Sequence, residues 1–229
     1  MNKITSKLLI IFFALITPSL SYAQTDVTKF LGIPIDGYKP EIIKKLKSKG
    51  FTVSPIKKEV LNGEFNGKKV NLHIGTYNNK VYRIMVTYDN HLSEGDIKIM
   101  FNNLCQQFKS NKRYLSLSED MIPDEEDISY QMSINNKRFQ AVFYQLPELS
   151  DSTTVSKDIE TFIFEKYTKE QLANESEDFQ NELANRCMEY LREKYSKKTV
   201  WFMINEQYGE YYITIFYDNL YNQASGDEL

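Results

Sequence analysis

The stretch VYRIMVTYDN at residues 81–90 sets the pattern for the whole chain. Its alternation predicts a β-strand, with every second side chain on one face: Tyr82, Ile84, Val86 and Tyr88. A similar stretch, YYITIFYDN, occupies residues 211–219. Asp-Asn commonly forms a turn after a strand, so the similarity of the two stretches has a simple explanation. We favour the alternative, a duplicated unit, because a helix precedes each of three successive meanders.

Further strands and turns are predicted before and after residues 81–90. Strands are predicted at residues 61–65 and 70–74, joined by the hairpin signal Asn66-Gly67, and Asn78-Asn79 forms the next turn. Further strands are predicted at 128–134, 139–146 and 159–164. A final hairpin, 200–205 with 211–217, turns at Tyr208-Gly209.

Three helices alternate with these meanders. The first begins near Pro40 and ends at Gly50, and the second begins at the N-cap Ser93 and runs to about Lys109. A longer helix is expected at 169–195. These elements predict an α+β fold, with antiparallel β meanders and helices packed on one face. We expect one domain, 24–229, that contains two related helix-plus-meander units at 30–90 and 93–219.

The N-terminus has the layout of a secretory signal peptide. Lys3 and Lys7 precede an uncharged apolar run, Pro18 ends that run, and Ser21 and Ala23 stand at a cleavage site. The run is shorter than the roughly 20 apolar residues of a membrane-spanning helix. We therefore expect residues 1–23 to be removed and the remainder, with no membrane span, to act in the periplasm or outside the cell.

The amino-acid composition limits the kinds of partner that the chain could bind. The chain has 28 basic and 31 acidic residues, so its formal net charge of −3 gives no basic footprint for nucleic acid. Aromatic residues make up 14% of the chain, which is typical of a folded protein. Cys105 and Cys187 both fall on apolar helical stripes. They either form a disulfide, if the two helices pack together, or remain two buried thiols.

The opening of the chain carries a family resemblance. The segments FLGIPIDG (30–37), LKSKGF (46–51) and LNGEFNG (61–67), and the ending YDNLYN (217–222), resemble small secreted proteins of unknown function from Bacteroides-type gut bacteria. The match covers the first third and the tail, and implies an envelope or secreted protein with no assigned catalytic residue. In topology alone, the helix-plus-meander unit is similar to β-lactamase-inhibitor-type and outer-membrane-assembly lipoprotein modules, which are binding modules.

No catalytic motif stands out. The two histidines, His73 and His91, lack the closely spaced partners of a zinc site, and the sequence has neither a Gly-x-Ser-x-Gly elbow nor a phosphate-binding glycine loop. We expect no cofactor. The densest acidic run could ligate calcium or supply paired carboxylates to a hydrolase, although a solvated loop before a strand is the favoured explanation. Its candidate residues are Asp120, Asp124, Glu125, Glu126 and Asp127.

The other distinctive feature is the aromatic C-terminal hairpin. Most of its rings should be core, but those on the opposite face would form an exposed surface for a protein or glycan ligand. The candidates are Trp201, Tyr208, Tyr211, Tyr212 and Phe216. The sequence therefore favours a non-enzymatic binding module. The alternatives are an envelope hydrolase that uses the carboxylates of residues 119–127 and a calcium-stabilised structural protein.

Overall fold

The computed structural model describes residues 26–148, 150 and 152–223. The predicted signal segment, 1–23, lies outside them. The fold is α+β, as predicted from the strand and helix patterns. The strands are β1 Lys29–Phe30, β2 Ile33–Pro34, β3 Thr52–Val53, β4 Leu61–Phe65, β5 Lys68–Tyr77, β6 Lys80–Tyr88, β7 Tyr114–Ser116, β8 Gln140–Gln145, β9 Thr199–Gln207 and β10 Glu210–Asp218. The helices are α1 Lys39–Ser48, α2 Glu94–Ser110, α3 Ile128–Ser133, α4 Ser152–Lys166, α5 Lys169–Leu172 and α6 Glu177–Tyr195, followed by a 3₁₀ turn at Ser196–Lys198.

Eight strands form one antiparallel sheet in the order β3-β4-β5-β6-β10-β9-β8-β7, and β1 and β2 pair separately. The last strand of each half of the chain lies at the centre of the sheet, where β6 pairs with β10. On each side of this seam the chain runs from a helix into four strands: α1 into β3–β6, and α2 into β7–β10. The proposed units 30–90 and 93–219 share this topology, and the duplication itself stays a prediction.

One face of the sheet carries the main core. Helices α1 and α2 pack there through Ile42, Leu46, Ile97 and Phe101, all fully buried. Alternate residues of the strands supply the rest, as their two-residue period requires. Ser93 caps α2 by accepting a hydrogen bond from the Asp96 amide, which confirms the predicted start of that helix.

A β-bulge between Gly75 and Thr76 changes which residues of β6 share a face. Ile84, Val86 and Tyr88 are buried in the core as predicted, but Tyr82 is only partly buried. A Cβ atom on Gly75 would lie 3.2 Å from the Tyr82 ring. The Tyr82 ring therefore lies over Gly75 on the face opposite the core. The prediction that Tyr82 shares a face with Ile84, Val86 and Tyr88 is wrong.

Residues 128–134 form helix α3 rather than the predicted strand. The Asp127 carboxylate accepts a hydrogen bond from the Tyr130 amide at 2.7 Å and so caps the helix. Only Ile128 is buried, whereas Tyr130 and Ile134 are exposed. The alternating pattern also fits a short helix with a buried first turn, and the cap decides between the two.

The predicted strand at 159–164 is also wrong, because α4 spans this stretch. Its apolar residues Val155, Ile159 and Phe162 recur at helical spacing. Phe162 stacks on Tyr190 of α6 at 4.5 Å between ring centroids. The single helix predicted at 169–195 divides into α5 and α6, because Ser176 provides a new N-cap for α6.

Helices α4 and α6 form a hairpin whose base packs on the face opposite the main core. A second apolar cluster joins this base to the β7–β8 edge of the sheet: Tyr144, Leu146, Val155, Leu191 and Tyr195. Within the described residues, no helix combines the length and apolarity needed to cross a membrane.

Candidate functional site

The face of the sheet opposite the main core is the candidate site, and we call it the open face. Alternate residues of five adjacent strands place one row of side chains across it: His73 on β5, Met85 on β6, Phe216 on β10, Trp201 on β9 and Val142 on β8. We call these five residues the central row. All five are partly exposed, so the middle of the sheet presents an apolar band.

Aromatic stacking organises the centre of the row. The rings of Trp201 and Phe216 stack at 4.0 Å between centroids, with 10° between their planes. The Arg83 guanidinium carbon lies 5.1 Å from the Phe216 centroid and 5.7 Å from that of Trp201. It also lies 5.6 Å from the Tyr82 ring. These are cation–π distances, and we call the four residues the aromatic–arginine cluster.

The Asp218 carboxylate holds the aromatic–arginine cluster in place. It accepts two hydrogen bonds from Arg83, at 2.6 and 2.7 Å, and a third from Trp201 Nε1 at 2.9 Å. The hydrogen bond that Arg83 donates to Asp218 raises the pKa of Arg83 despite the opposing effect of burial. Only 4% of the Asp218 side chain is exposed. Since bidentate, charge-assisted pairs define geometry tightly, the cluster is held in one arrangement.

A polar cleft of about 520 Å³ adjoins the row at the β4–β5 side. It brings together His73 and His91, which sequence reasoning left isolated. Asn71 donates to the Asp89 carboxylate at 3.0 Å, and the His91 ring lies 5.2 Å from that of Tyr212. Burial, followed by the charges of Lys57 and Lys39, lowers the pKa of His73, so this imidazole is neutral at pH 7.

The α4–α6 hairpin bounds the other side of the open face. Its base covers Tyr144 and Leu146, and Val142 at the end of the central row packs against the same cluster. Lys194 and Asp158 bridge the two helices at 2.7 Å, and the Tyr195 hydroxyl donates to Asp158 at 2.5 Å. The open face is therefore a shallow surface with a helical wall along one edge.

The five aromatic candidates divide between three places. Trp201, Tyr212 and Phe216 lie on the open face, whereas Tyr211 is buried in the main core. Tyr208 lies at the tip of the β9–β10 hairpin and is 94% exposed. Sequence reasoning missed Arg83 and Asp218, and the only available signal was their place in the two echoing strands.

The acidic candidates lie in the segment between β7 and α3, and three of their carboxylates have separate partners. Asp120 accepts from Ser118 at 2.8 Å, Glu126 pairs with Lys137 at 2.9 Å, and Asp127 caps α3. The backbone carbonyls of Asp124 and Glu126 accept from Lys98, and Glu125 is exposed. Within the described residues no three His, Cys, Asp or Glu side chains are grouped to hold a metal ion. The hydrolase and calcium hypotheses stay predictions.

Cys105 and Cys187 are separate thiols. Cys105 is buried in the main core on α2, whereas Cys187 is partly exposed on α6, which packs on the opposite face. The sheet lies between the two helices. The structure therefore has the two thiols unpaired, but only Cys105 is buried as the sequence predicts. Burial raises the pKa of the Cys105 thiol to about 12, so this thiol is a poor nucleophile.

In comparisons with known proteins, no family model, no curated protein and no solved structure matches the chain. The resemblance to secreted Bacteroides-type proteins stays a prediction.

Proposed function

We propose that this chain is a non-enzymatic binding module that acts in the periplasm or outside the cell and holds a protein partner on its open face. The observation that carries the proposal is the central row, whose aromatic and methionine residues are partly exposed on the part of the sheet face that the α4–α6 hairpin does not cover. Apolar surface rimmed by polar groups is typical of interaction sites. The export that places it outside the cytoplasm rests on the predicted leader.

The composition of this face suits tight binding. Aromatic, arginine and methionine side chains are enriched at the centres of protein interfaces, and the open face groups Trp201, Phe216, Arg83, Met85 and Met203. The hydrogen bonds to Asp218 fix the rings before a partner arrives. Less conformational entropy is then lost on association.

The ring geometry favours a protein over a glycan. A sugar stacks its C–H face on a free aromatic face. Here Phe216 covers one face of Trp201, and Val142 is the register neighbour on the other side. Arg83 lies over the Phe216 ring. The ring edges and the methionines remain for contact, and these suit apolar side chains of a folded partner.

Tyr208 adds a second argument. It has φ +56°, and the corresponding first turn residues of the β4–β5 and β5–β6 hairpins are Asn66, at +51°, and Asn78, at +48°. Asn tolerates this left-handed conformation better than Tyr. Leu31 takes the same position of the β1–β2 turn at +49°, but among the described hairpins of the eight-stranded sheet only this one places a tyrosine there, and an exposed ring held in this conformation supports a role beyond folding. We assign it as an anchor for the partner at the end of the open face.

Site-specific photocrosslinking tests the proposal. The photoreactive residue p-benzoylphenylalanine is placed at Met203 on the open face, and in a separate variant at Ile99, an exposed apolar position on α2. Cells producing each variant are irradiated. We expect a discrete protein adduct from position 203 and none from position 99.

The adduct is then tested for dependence on the site. Changing Phe216 to Ser in the Met203 crosslinking variant should reduce the adduct yield several-fold, because the stack with Trp201 is lost. As a control, Ile134→Ser on the exposed side of α3 should leave the adduct yield unchanged. Equal adducts from positions 203 and 99, or an adduct insensitive to Phe216, would contradict a protein site on the open face.

A further inference from the structure

The opposite side of the sheet carries a groove unrelated to the open face. It runs between α2 and the β4–β5 hairpin and consists of two cavities, of about 480 and 510 Å³. The first lies against Phe65, Phe108 and Tyr114, and the second against Tyr88 and Met100. Leu104 lines both. We call these two cavities together the helix groove.

A single side-chain bridge separates the two cavities at the surface. The Asn66 amide at the hairpin tip donates to the Gln107 side chain of α2 at 2.8 Å, and both residues line both cavities. Because the cavities share the same helix and the same residues at their boundary, the groove is elongated along α2. Its size is within the usual range for small-molecule pockets.

The second cavity contains a polar group without a partner. The Tyr88 hydroxyl is buried and, within the described residues, has no hydrogen-bond partner. Burial raises the pKa of Tyr88, and an interaction with the Asn66 side chain opposes that rise, since the Asn66 amide has a second hydrogen besides the one it donates to Gln107. Buried hydroxyls are rarely left unpaired, so Asn66 is placed to satisfy this phenol, and the cavity keeps Leu92, Met100 and Leu104 as an apolar lining.

The first cavity has a second available phenol. Gln145, which is buried, donates from Nε2 to the Tyr114 hydroxyl at 3.2 Å. An amide nitrogen can only donate, so the Tyr114 oxygen accepts from Gln145. The Tyr217 hydroxyl is its second partner, and with Tyr217 as the donor the Tyr114 proton remains to be donated. At the mouth, Lys29 is paired with Glu148, whereas Arg113 has no ion pair among the described residues, and Glu64 is exposed on the opposite rim.

We propose that the helix groove binds an elongated amphiphile of the fatty-acid class. Its apolar chain lies along Leu104, Met100 and Phe108, and its carboxylate accepts from the Tyr114 hydroxyl with Arg113 at the mouth. Charge-assisted hydrogen bonds of this kind are stronger than neutral ones. The site is on the other face from the aromatic–arginine cluster, so its failure would leave the open-face proposal untouched.

Displacement of a fluorescent probe tests the site. 1-Anilinonaphthalene-8-sulfonate is bound to the delipidated protein and displaced by dodecanoate or by dodecanol. We expect dodecanoate to displace it with an affinity about tenfold higher than that of dodecanol, and Tyr114→Phe to remove most of this difference. Failure of dodecanoate to bind, or equal affinity for acid and alcohol, would overturn the proposal.

A matched pair of variants locates the binding. Gln107 and Gln106 are adjacent exposed residues of α2, but only Gln107 lines the groove. Gln107→Trp should block dodecanoate binding, and Gln106→Trp should leave it within twofold of the parent. Circular dichroism confirms that both variants are folded. Dodecanoate binding unaffected by Gln107→Trp would place the ligand elsewhere and contradict the assignment.

Discussion

At the scale of single residues, Asp218 has the largest structural role on the open face. It satisfies both Arg83 and the indole of Trp201 from a nearly buried position. Removing one partner of such a pair leaves the other charge without compensation. We expect Asp218→Ala to lower the free energy of unfolding by about 3 kcal/mol, measured by urea denaturation.

The control for this change is Arg186→Met. It breaks an exposed pair with Glu182 at 3.9 Å, and such surface pairs contribute at most about 1 kcal/mol. A loss for Asp218→Ala no larger than that of the control would show that Asp218 does not hold the cluster together.

The two thiols should differ sharply in reactivity. Burial raises the pKa of both thiols, but Cys105 is fully buried whereas Cys187 is partly exposed. We expect 5,5′-dithiobis(2-nitrobenzoic acid) to titrate one thiol in the native protein and two after unfolding without reductant, since reaction requires an accessible thiolate. Cys187→Ser should abolish the fast reaction. Finding no free thiol in the unfolded protein would instead reveal a disulfide.

At the scale of elements, the hairpin turns provide an internal comparison. Tyr208 adopts the left-handed conformation that Asn residues adopt in the other two hairpins of the eight-stranded sheet. We expect Tyr208→Asn to raise the free energy of unfolding by about 0.5 kcal/mol, because Asn tolerates this conformation better, and to weaken partner capture. Tyr221→Asn, a change at another exposed tyrosine, should give no gain. A destabilised Tyr208→Asn variant would contradict the strain argument.

The α4–α6 hairpin should be the least protected helical element. Its buried residues, Val155, Leu191 and Tyr195, all lie at its base. Regions with few buried contacts open locally at low free energy. We expect amides 179–186 to exchange with deuterium at least about a hundredfold faster than those of α2, measured by mass spectrometry. Equal protection would mean that the distal half of the hairpin is packed against something else.

The elements also show which parts of the fold could be predicted from sequence. Asn66-Gly67, the strand alternation and the Ser93 cap act locally, so β4 to β6 and α2 were predicted correctly. Residues 128–134 and 159–164 fit both the strand and the helix periods. Whether each stretch forms a strand or a helix depends on the Asp127 cap and on packing against α6. Neither the cap nor the packing can be inferred from a single apolar run.

At the scale of the whole molecule, the candidate site sits at the seam between the two halves. Arg83 lies on β6 and Asp218 on β10, and the pairing of these strands joins residues 135 positions apart. A pairing over that distance depends on the order of all eight strands. The aromatic residues of the site could therefore be predicted from the sequence, whereas its charged partners and the Gly75 bulge that redirects Tyr82 could not.

Oxidative footprinting of methionine tests the central claim, that the open face is covered by a partner where the protein works. Met85 and Met203 lie on the open face, while Met121 and Met188 are exposed elsewhere. Oxidation of each residue is compared by mass spectrometry between the purified protein and the protein in intact cells. We predict selective protection of Met85 and Met203 in cells. Equal oxidation of all four residues in both samples would contradict the proposal.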